Sequence, residues 1–221
     1  MKSILSRVKE TIFRSKFDSK NYWETRYKAG GNSGSGSFGH LAEFKARTLN
    51  NFVELYQIKD VIEFGCGDGN QLTLAKYPSY IGLDVSITTL KSCIEKFKSD
   101  TTKSFYLYDG QVFNDNKGIF ICDLALSIDV IFHLVEQEVY DKYLFNLFRT
   151  GKKYVIIYSS NFHMPPNRPD SHEYHRQFTK DIQNRFQNWK LKEIIKNEYP
   201  SKNYDDEKGS LADFYIYEST R

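Results

Sequence analysis

The chain has 221 residues, enough for one α/β domain with additions, and 40% of them are hydrophobic, so a substantial core can form. Its 31 basic and 28 acidic side chains leave a formal net charge of +3, too balanced for a chain that binds nucleic acid through bulk charge. No apolar run approaches the ~18 residues of a membrane-spanning helix, and the N-terminus lacks the apolar stretch and small-residue cleavage site of a secretory signal.

Residues Met1 to Lys16 place Ile4, Leu5, Val8, Ile12 and Phe13 at helical spacing with basic residues between them. This predicts a basic amphipathic helix that packs on its own domain or on a second copy in a homodimer, with a membrane surface as the alternative. Asn21 to Tyr27 reads as a second short helix. Gly30 to Gly39 (Gly-Gly-Asn-Ser-Gly-Ser-Gly-Ser-Phe-Gly) has the composition of a flexible linker, but too little chain precedes it to make a domain. An ordered lid fits better, with backbone N–H groups and the hydroxyls of Ser33, Ser35 and Ser37 available to a carboxylate or phosphate. Leu41, Phe44, Leu49, Phe52, Val53 and Tyr56 then follow helical periodicity.

Val61 to Phe64 is a short apolar run with one acid, suited to a buried parallel strand. Gly65, Gly67 and Gly69 follow at alternate positions, where missing side chains let a ligand approach the backbone. The chain after Gly69 is expected to open a helix whose first N–H groups face that ligand. Tyr80 to Leu83 is a second strand. Asp84 ends it, where an acid can accept two hydrogen bonds from a ribose diol. Ser86 caps a helix reaching Lys98. Ser104 to Tyr108 is strand three, with Asp109 at its carboxyl end, and Asn114 to Gly118 is a polar turn. Phe120 to Leu126 is strand four, Val139 to Phe148 a helix, and Tyr154 to Tyr158 strand five. Asp181 to Trp189 finishes a helix, and a strand over Leu191 to Lys196, a polar connection from Tyr199 to Gly209 and a strand over Leu211 to Tyr217 complete the chain.

A dinucleotide site of the form G-x-G-x-x-G needs glycine where this chain has Asn70, and the third glycine comes one residue early at Gly69. The run Glu63-x-Gly65-x-Gly67-x-Gly69 resembles motif I of the class I S-adenosylmethionine-dependent methyltransferases. The resemblance extends from about Tyr22 to the C-terminal strand. It implies an α/β fold with a Rossmann-like, mostly parallel seven-stranded sheet, helices on both faces and an N-terminal helical cap. It also implies S-adenosylmethionine as cofactor and S-adenosylhomocysteine as product. Glu63 would then help hold the methionine end, the three glycines would pass under the cofactor, Asp84 would hold the ribose, and Asp109 would meet the adenine amino group. Val85 and Ser86 follow Asp84 in the same site. Cys66 takes the small position between two motif glycines and reads as packing. The Trp23-x-x-Arg26-Tyr27 element is similar to one in several small-molecule methyltransferases, where a ring covers the cofactor, so Tyr22, Trp23, Arg26 and Tyr27 are candidates for the cleft wall. Ser127-Ile128-Asp129-Val130 resembles motif IV, beside the reactive methyl, and adds Ser127 and Asp129.

Methyl transfer asks the protein to align the acceptor, exclude water and, for an alcohol, remove a proton. His133 lies four residues after Asp129, on the same face if a helical turn forms there. Three of the five histidines, His163, His172 and His175, fall in the stretch Ser159 to Thr179 with Arg168 and Arg176. Such a segment after strand five should cover an active site at the strand ends. His133, His172 and His175 are the candidate bases; His163, Arg168 and Arg176 are candidate acceptor ligands, since guanidinium pairs well with phosphate or carboxylate. His172 and His175 are spaced like ligands, with His163 as a candidate third, but no cysteine pair or H-E-x-x-H pattern supports zinc, so no metal is assigned.

The expected organisation is an N-terminal part over 1–56, with the helices and lid, and a methyltransferase domain over 57–221 with an acceptor insertion near 159–180. The expected function is methylation, preferably at oxygen, of a small polar, anionic molecule. Overall resemblance to methyltransferases of bacterial capsule and surface-glycan biosynthesis points to a sugar, sugar acid or phosphoramidate. The alternatives are N-methylation of a sugar amine, RNA methylation, and a non-catalytic cofactor-binding subunit. RNA is disfavoured because the N/D-P-P-Y/F signature is missing. The scattered cysteines Cys66, Cys93 and Cys122 suit reduced thiols in the cytoplasm.

Overall fold

The structure is a computed structural model that describes residues 17–166, 168, 171–201 and 208–221. The basic helix expected over Met1–Lys16 lies outside the described residues, as does part of the Tyr199–Gly209 connection. Seven strands form one sheet: β1 Val61–Phe64, β2 Tyr80–Asp84, β3 Lys103–Leu107, β4 Cys122–Ile128, β5 Gly151–Ser159, β6 Trp189–Ile195 and β7 Asp213–Ser219. The helices are α1 Ser19–Lys28, α2 Gly39–Leu55, α3 Ile87–Lys96, α4 Gln137–Thr150 and α5 Phe178–Arg185.

The strand order is β3-β2-β1-β4-β5-β7-β6; β3, β2, β1, β4 and β5 pair in parallel, and β7 runs antiparallel to both β5 and β6. The order reverses between β1 and β4. In an open α/β sheet the crevice at that point, beyond the carboxyl ends of the strands, is where a ligand binds.

The alternation of side chains along the central strands divides the core into two layers. Ile62, Phe64, Ala125, Val155 and Ile157 face α4 residues such as Leu144 and Leu147. Val61, Leu124, Leu126, Ile156 and Phe214 face Phe44, Leu49, Phe52 and Val53 of α2. Helix α2 is therefore part of the core. On its buried face it also carries Lys45, which is only 1% exposed.

Three elements differ from the sequence expectation. No α-helix follows Gly69; a four-residue 3₁₀ turn, Gln71–Leu74, stands there. Only the ten residues from Asn70 to Ser79 separate the glycine turn from β2, and Pro78 cannot donate to a helix and disfavours helical geometry at Tyr77. Strand β4 starts at Cys122 and not at Phe120, because the Asp115 carboxylate accepts the N–H groups of Gly118, Ile119 and Phe120 and closes a turn. Helix α5 ends at Arg185, and Trp189 opens β6 opposite Ser219.

Candidate functional site

A cavity of about 400 Å³ opens at the switch point, within the range of small-molecule sites. The carboxyl ends of the strands supply its floor: Glu63 from β1, Asp84 and Val85 at β2, Asp109 after β3, and Ile128 and Asp129 at the end of β4. Gly65, Cys66, Gly67 and Asp68 form one wall. Trp23 and Tyr27 of α1, with Ser33 and Ser37 of the Gly/Ser stretch, close another.

The glycine turn depends on its residue type. Gly65, Gly67 and Gly69 have φ of +81°, +57° and +69°, a region L side chains rarely adopt. A Cβ on Gly67 would lie 2.4 Å from the Ser33 hydroxyl oxygen and 3.2 Å from the Tyr27 hydroxyl. The Gly/Ser stretch is laced to this turn. Ser33 N–H donates to Asp68 Oδ2 at 3.0 Å, Asp68 N–H donates to Ser33 Oγ at 3.0 Å, and Asn70 Nδ2 donates to the Ser37 carbonyl at 2.6 Å. Ser33 Oγ also lies 3.0 Å from Tyr27 Oη. This stretch is an ordered wall over the cavity.

Asp84 is buried and accepts the Gly67 and Ser86 N–H groups, one on each oxygen, at 2.9 Å. Burial still pushes its pKa up to about 6, against the pull of those N–H groups. Glu63 accepts the Tyr80 hydroxyl at 2.6 Å, and burial pushes it up to about 7, opposed by that bond and by Lys45. Two carboxylates so desolvated gain from a ligand that donates hydrogen bonds or carries positive charge. Asp109 sits at the other end with Oδ2 2.8 Å from Lys20 Nζ, and this lysine holds its pKa below the usual carboxylate range.

Two buried oxygens without a protein partner also belong to residues of the cavity wall: Gln71 Oε1 and Glu136 Oε2. The Glu136 partner atom, Oε1, accepts the Ser19 N–H at 2.7 Å. Unmet buried acceptors are costly and suit a ligand with N–H or O–H groups.

At the β4 end, Asp129 has φ of +58° although it is not glycine, an unfavourable conformation that its surroundings must sustain. Its N–H donates to the Tyr158 carbonyl at 3.0 Å, and its Oδ2 takes the buried Lys45 Nζ at 2.5 Å. A 3₁₀ turn, Ile131–His133, follows and brings His133 into the cavity wall. The His133 ring meets Trp23 edge-on at 4.9 Å, and enclosure pushes its pKa down to about 4.

Other residues singled out in the sequence lie outside the cavity lining. Ser127 is buried within β4, with its hydroxyl accepting from Tyr143 at 2.7 Å. Gly69 packs toward Cys93 and Phe97. Ser86 caps α3, accepting the Thr89 N–H at 3.2 Å, and its hydroxyl donates to Glu24 at 2.6 Å. Tyr22 stacks on His172, and Arg26 donates to the Asn32 carbonyl at 2.8 Å. His175 is buried, with Nδ1 2.6 Å from Ser160 Oγ. Arg176 is buried between the rings of Tyr140 and Tyr174, and its terminal nitrogens donate to the Leu134 and Val135 carbonyls at 2.6 and 2.9 Å. It holds the turn after His133 in place. His163 is exposed near Tyr174, and neither it nor Arg168 lines the cavity.

The sequence reading missed Lys45, Gln71, Glu136 and Lys142, all in the cavity wall. Lys45 did carry a signal: it stands four residues after Leu41 and four before Leu49, inside the apolar stripe of α2.

No family model and no curated protein sequence matches the chain. Solved structures do. The methyltransferase domain of bacterial CtHen1-C is 22% identical with a TM-score of 0.59, covering 80% of this chain and 97% of that one. The N-methyltransferase NodS from Bradyrhizobium japonicum WM9, in complex with S-adenosyl-L-homocysteine, is 13% identical with a TM-score of 0.60, covering 81% and 88%. Magnesium protoporphyrin IX methyltransferase (ChlM) from Synechocystis PCC 6803, with bound SAM, is 12% identical with a TM-score of 0.62, covering 92% and 98%. With its mixed seven-stranded sheet, glycine turn and strand-end carboxylates, the chain has the Rossmann-like methyltransferase fold.

Proposed function

We propose that the chain is an S-adenosylmethionine-dependent methyltransferase acting on an oxygen of a small polar molecule. The observation that carries this reading is the pairing of buried Asp84 and Glu63 beside a glycine turn at the switch point, in a cavity of about 400 Å³. Asp84 would hold the ribose hydroxyls, Glu63 and the orphan oxygen of Gln71 the methionine ammonium, and Asp109 and Glu136 the adenine end. The cofactor supplies a methyl group already activated by a sulfonium, so the protein contributes binding, alignment and exclusion of water. Trp23, Tyr27 and the Gly/Ser wall exclude water. Asp129 and His133 mark the acceptor end, where His133 is neutral at pH 7 and takes a proton only weakly.

The proposed acceptor is an alcohol of a sugar or sugar acid, in line with the glycan resemblance of the sequence. Arg176 has no part in it, since its terminal nitrogens are held by backbone carbonyls; Arg168 and His163 remain as outer contacts to an anionic group. The weak basicity of His133 favours one second reading, an amine acceptor, whose lone pair attacks without a base.

Calorimetric titration with S-adenosylhomocysteine, followed by a methyl-transfer screen over sugars, sugar acids and amino sugars, tests the proposal. Micromolar binding with turnover on a hydroxylated acceptor supports it. Turnover on amines alone shifts it to the second reading. Absence of binding overturns it.

A further inference from the structure

His133, His172 and Glu173 each present a metal-ligating atom to one small space, and these atoms lie within 4.8 Å of one another. They come from distant parts of the chain. His133 ends the 3₁₀ turn after β4, whereas His172 and Glu173 belong to the segment between β5 and α5. The two imidazole planes are nearly parallel, 12° apart, with centroids separated by 5.3 Å.

The rings are oriented from outside this space. His133 Nδ1 lies 3.1 Å from the His172 carbonyl oxygen. A carbonyl only accepts, so the ring proton sits on Nδ1 and Nε2 carries the lone pair. Metal-bound imidazoles are held in this way, with the second ring nitrogen donating to a carbonyl or carboxylate. Trp23 packs edge-on against His133 at 4.9 Å, and Tyr22 stacks on His172 at 4.9 Å. Glu173 places Oε1 3.6 Å from His172 Nε2 and Oε2 3.8 Å from His175 Nε2.

We propose that His133, His172 and Glu173 bind one divalent first-row transition cation at the edge of the cavity, where His133 alone of the three lines it. Two imidazoles and one carboxylate suit zinc, manganese, cobalt or iron, and leave coordination positions open. Bonds of about 2.0–2.2 Å put ligand atoms roughly 3–3.5 Å apart, so the cluster must contract by about an ångström. The side chains of His172 and Glu173 are 38% and 26% exposed, which gives them room to turn. The set differs from the His163, His172 and His175 spacing seen in the sequence: the third ligand comes from the β4 end, and the carboxylate is the neighbour of His172.

The role of the cation rests on the methyltransferase reading. Since His133 lines the cavity beside Asp129, an acceptor hydroxyl there can take an open position on the metal. A hydroxyl so bound gives its proton to water more readily, leaving the electron pair on an oxygen held by the cation.

The test uses the full chain, free of affinity tag and stripped of metal, titrated with Co²⁺ by visible absorption and with Mn²⁺ by electron paramagnetic resonance. No cofactor or substrate is present. One equivalent per chain is expected, and His172→Asn and Glu173→Gln should each weaken binding by at least about tenfold, because losing an outer partner of a metal ligand alone costs about 10–100-fold. Both side chains are partly exposed, so the variants can be checked for native circular dichroism before titration. Stoichiometric binding lost in both variants supports the site even if S-adenosylhomocysteine does not bind, an outcome that would sink only the methyltransferase reading. Absence of stoichiometric binding, or binding unchanged in both variants, overturns the site even if S-adenosylhomocysteine binds.

Discussion

Replacing Glu63 by Gln removes one charge from the cavity floor while keeping the volume and an oxygen for the Tyr80 hydroxyl. Burial raises this carboxyl from its ordinary value of 4.5 to about 7. The folded chain therefore holds the proton more tightly than the unfolded chain. Stability from this group is fully present below the ordinary value and is lost as pH rises through about 7. Between about pH 5 and pH 8 the two pKa values give a loss of roughly 2–3 kcal/mol, a sizeable part of the ~5–15 kcal/mol that holds a domain folded. Glutamine does not titrate. Asp84 is raised too, but it is present in both proteins and largely cancels in the comparison. Urea unfolding of both proteins at about pH 5 and pH 8, with the m-values compared, should show Glu63→Gln gaining roughly 2–3 kcal/mol on the wild type at the higher pH. A difference that stays constant between the two pH values would refute the claim that the site stores a desolvated carboxylate.

Three further outcomes are expected. Asp84→Ala should weaken S-adenosylhomocysteine binding by roughly 1–3 kcal/mol through lost charge-assisted bonds; unchanged calorimetric affinity would count against the ribose role. Gly67→Val should abolish that binding in a chain that still shows native circular dichroism. Its Cβ meets Ser33 at 2.4 Å on a backbone with φ of +57°, so the damage falls on the Gly/Ser wall; retained binding would move the site elsewhere. Lys45→Met should cost roughly 2–3 kcal/mol of folding stability in urea, below the ~3–5 kcal/mol of a wholly buried pair because Asp129 keeps 22% exposure; a neutral result would show that Asp129 needs no partner.

The chain order of apolar runs and glycines was enough to read the sheet, the turn after β1 and the acids at the ends of β1 and β2. These are local facts. A four-residue apolar strand, a glycine at positive φ and an acid at the end of a strand each follow from residue type at a given position. Element boundaries were less legible, because periodicity registers neither the donor that Pro78 lacks nor the hydrogen bonds by which Asp115 closes the turn before β4. At the β4 end of the cavity only Asp129 and His133 could be read along the chain, and the residues that surround them could not. Arg176 has the chemistry of an anion ligand, yet carbonyls about forty residues away in sequence take its donors. Lys45 interrupts the apolar stripe of α2, but its partner Asp129 lies 84 residues away and is met only on folding. His133 and His172 are 39 residues apart and meet only because the turn after β4 and the segment after β5 converge on one edge of the cavity. The sequence by itself determined the cofactor-side elements, since strand, turn and acid are continuous there. Only the tertiary structure decided which side chains meet around Asp129 and His133, since those contacts depend on where distant strands and loops come together.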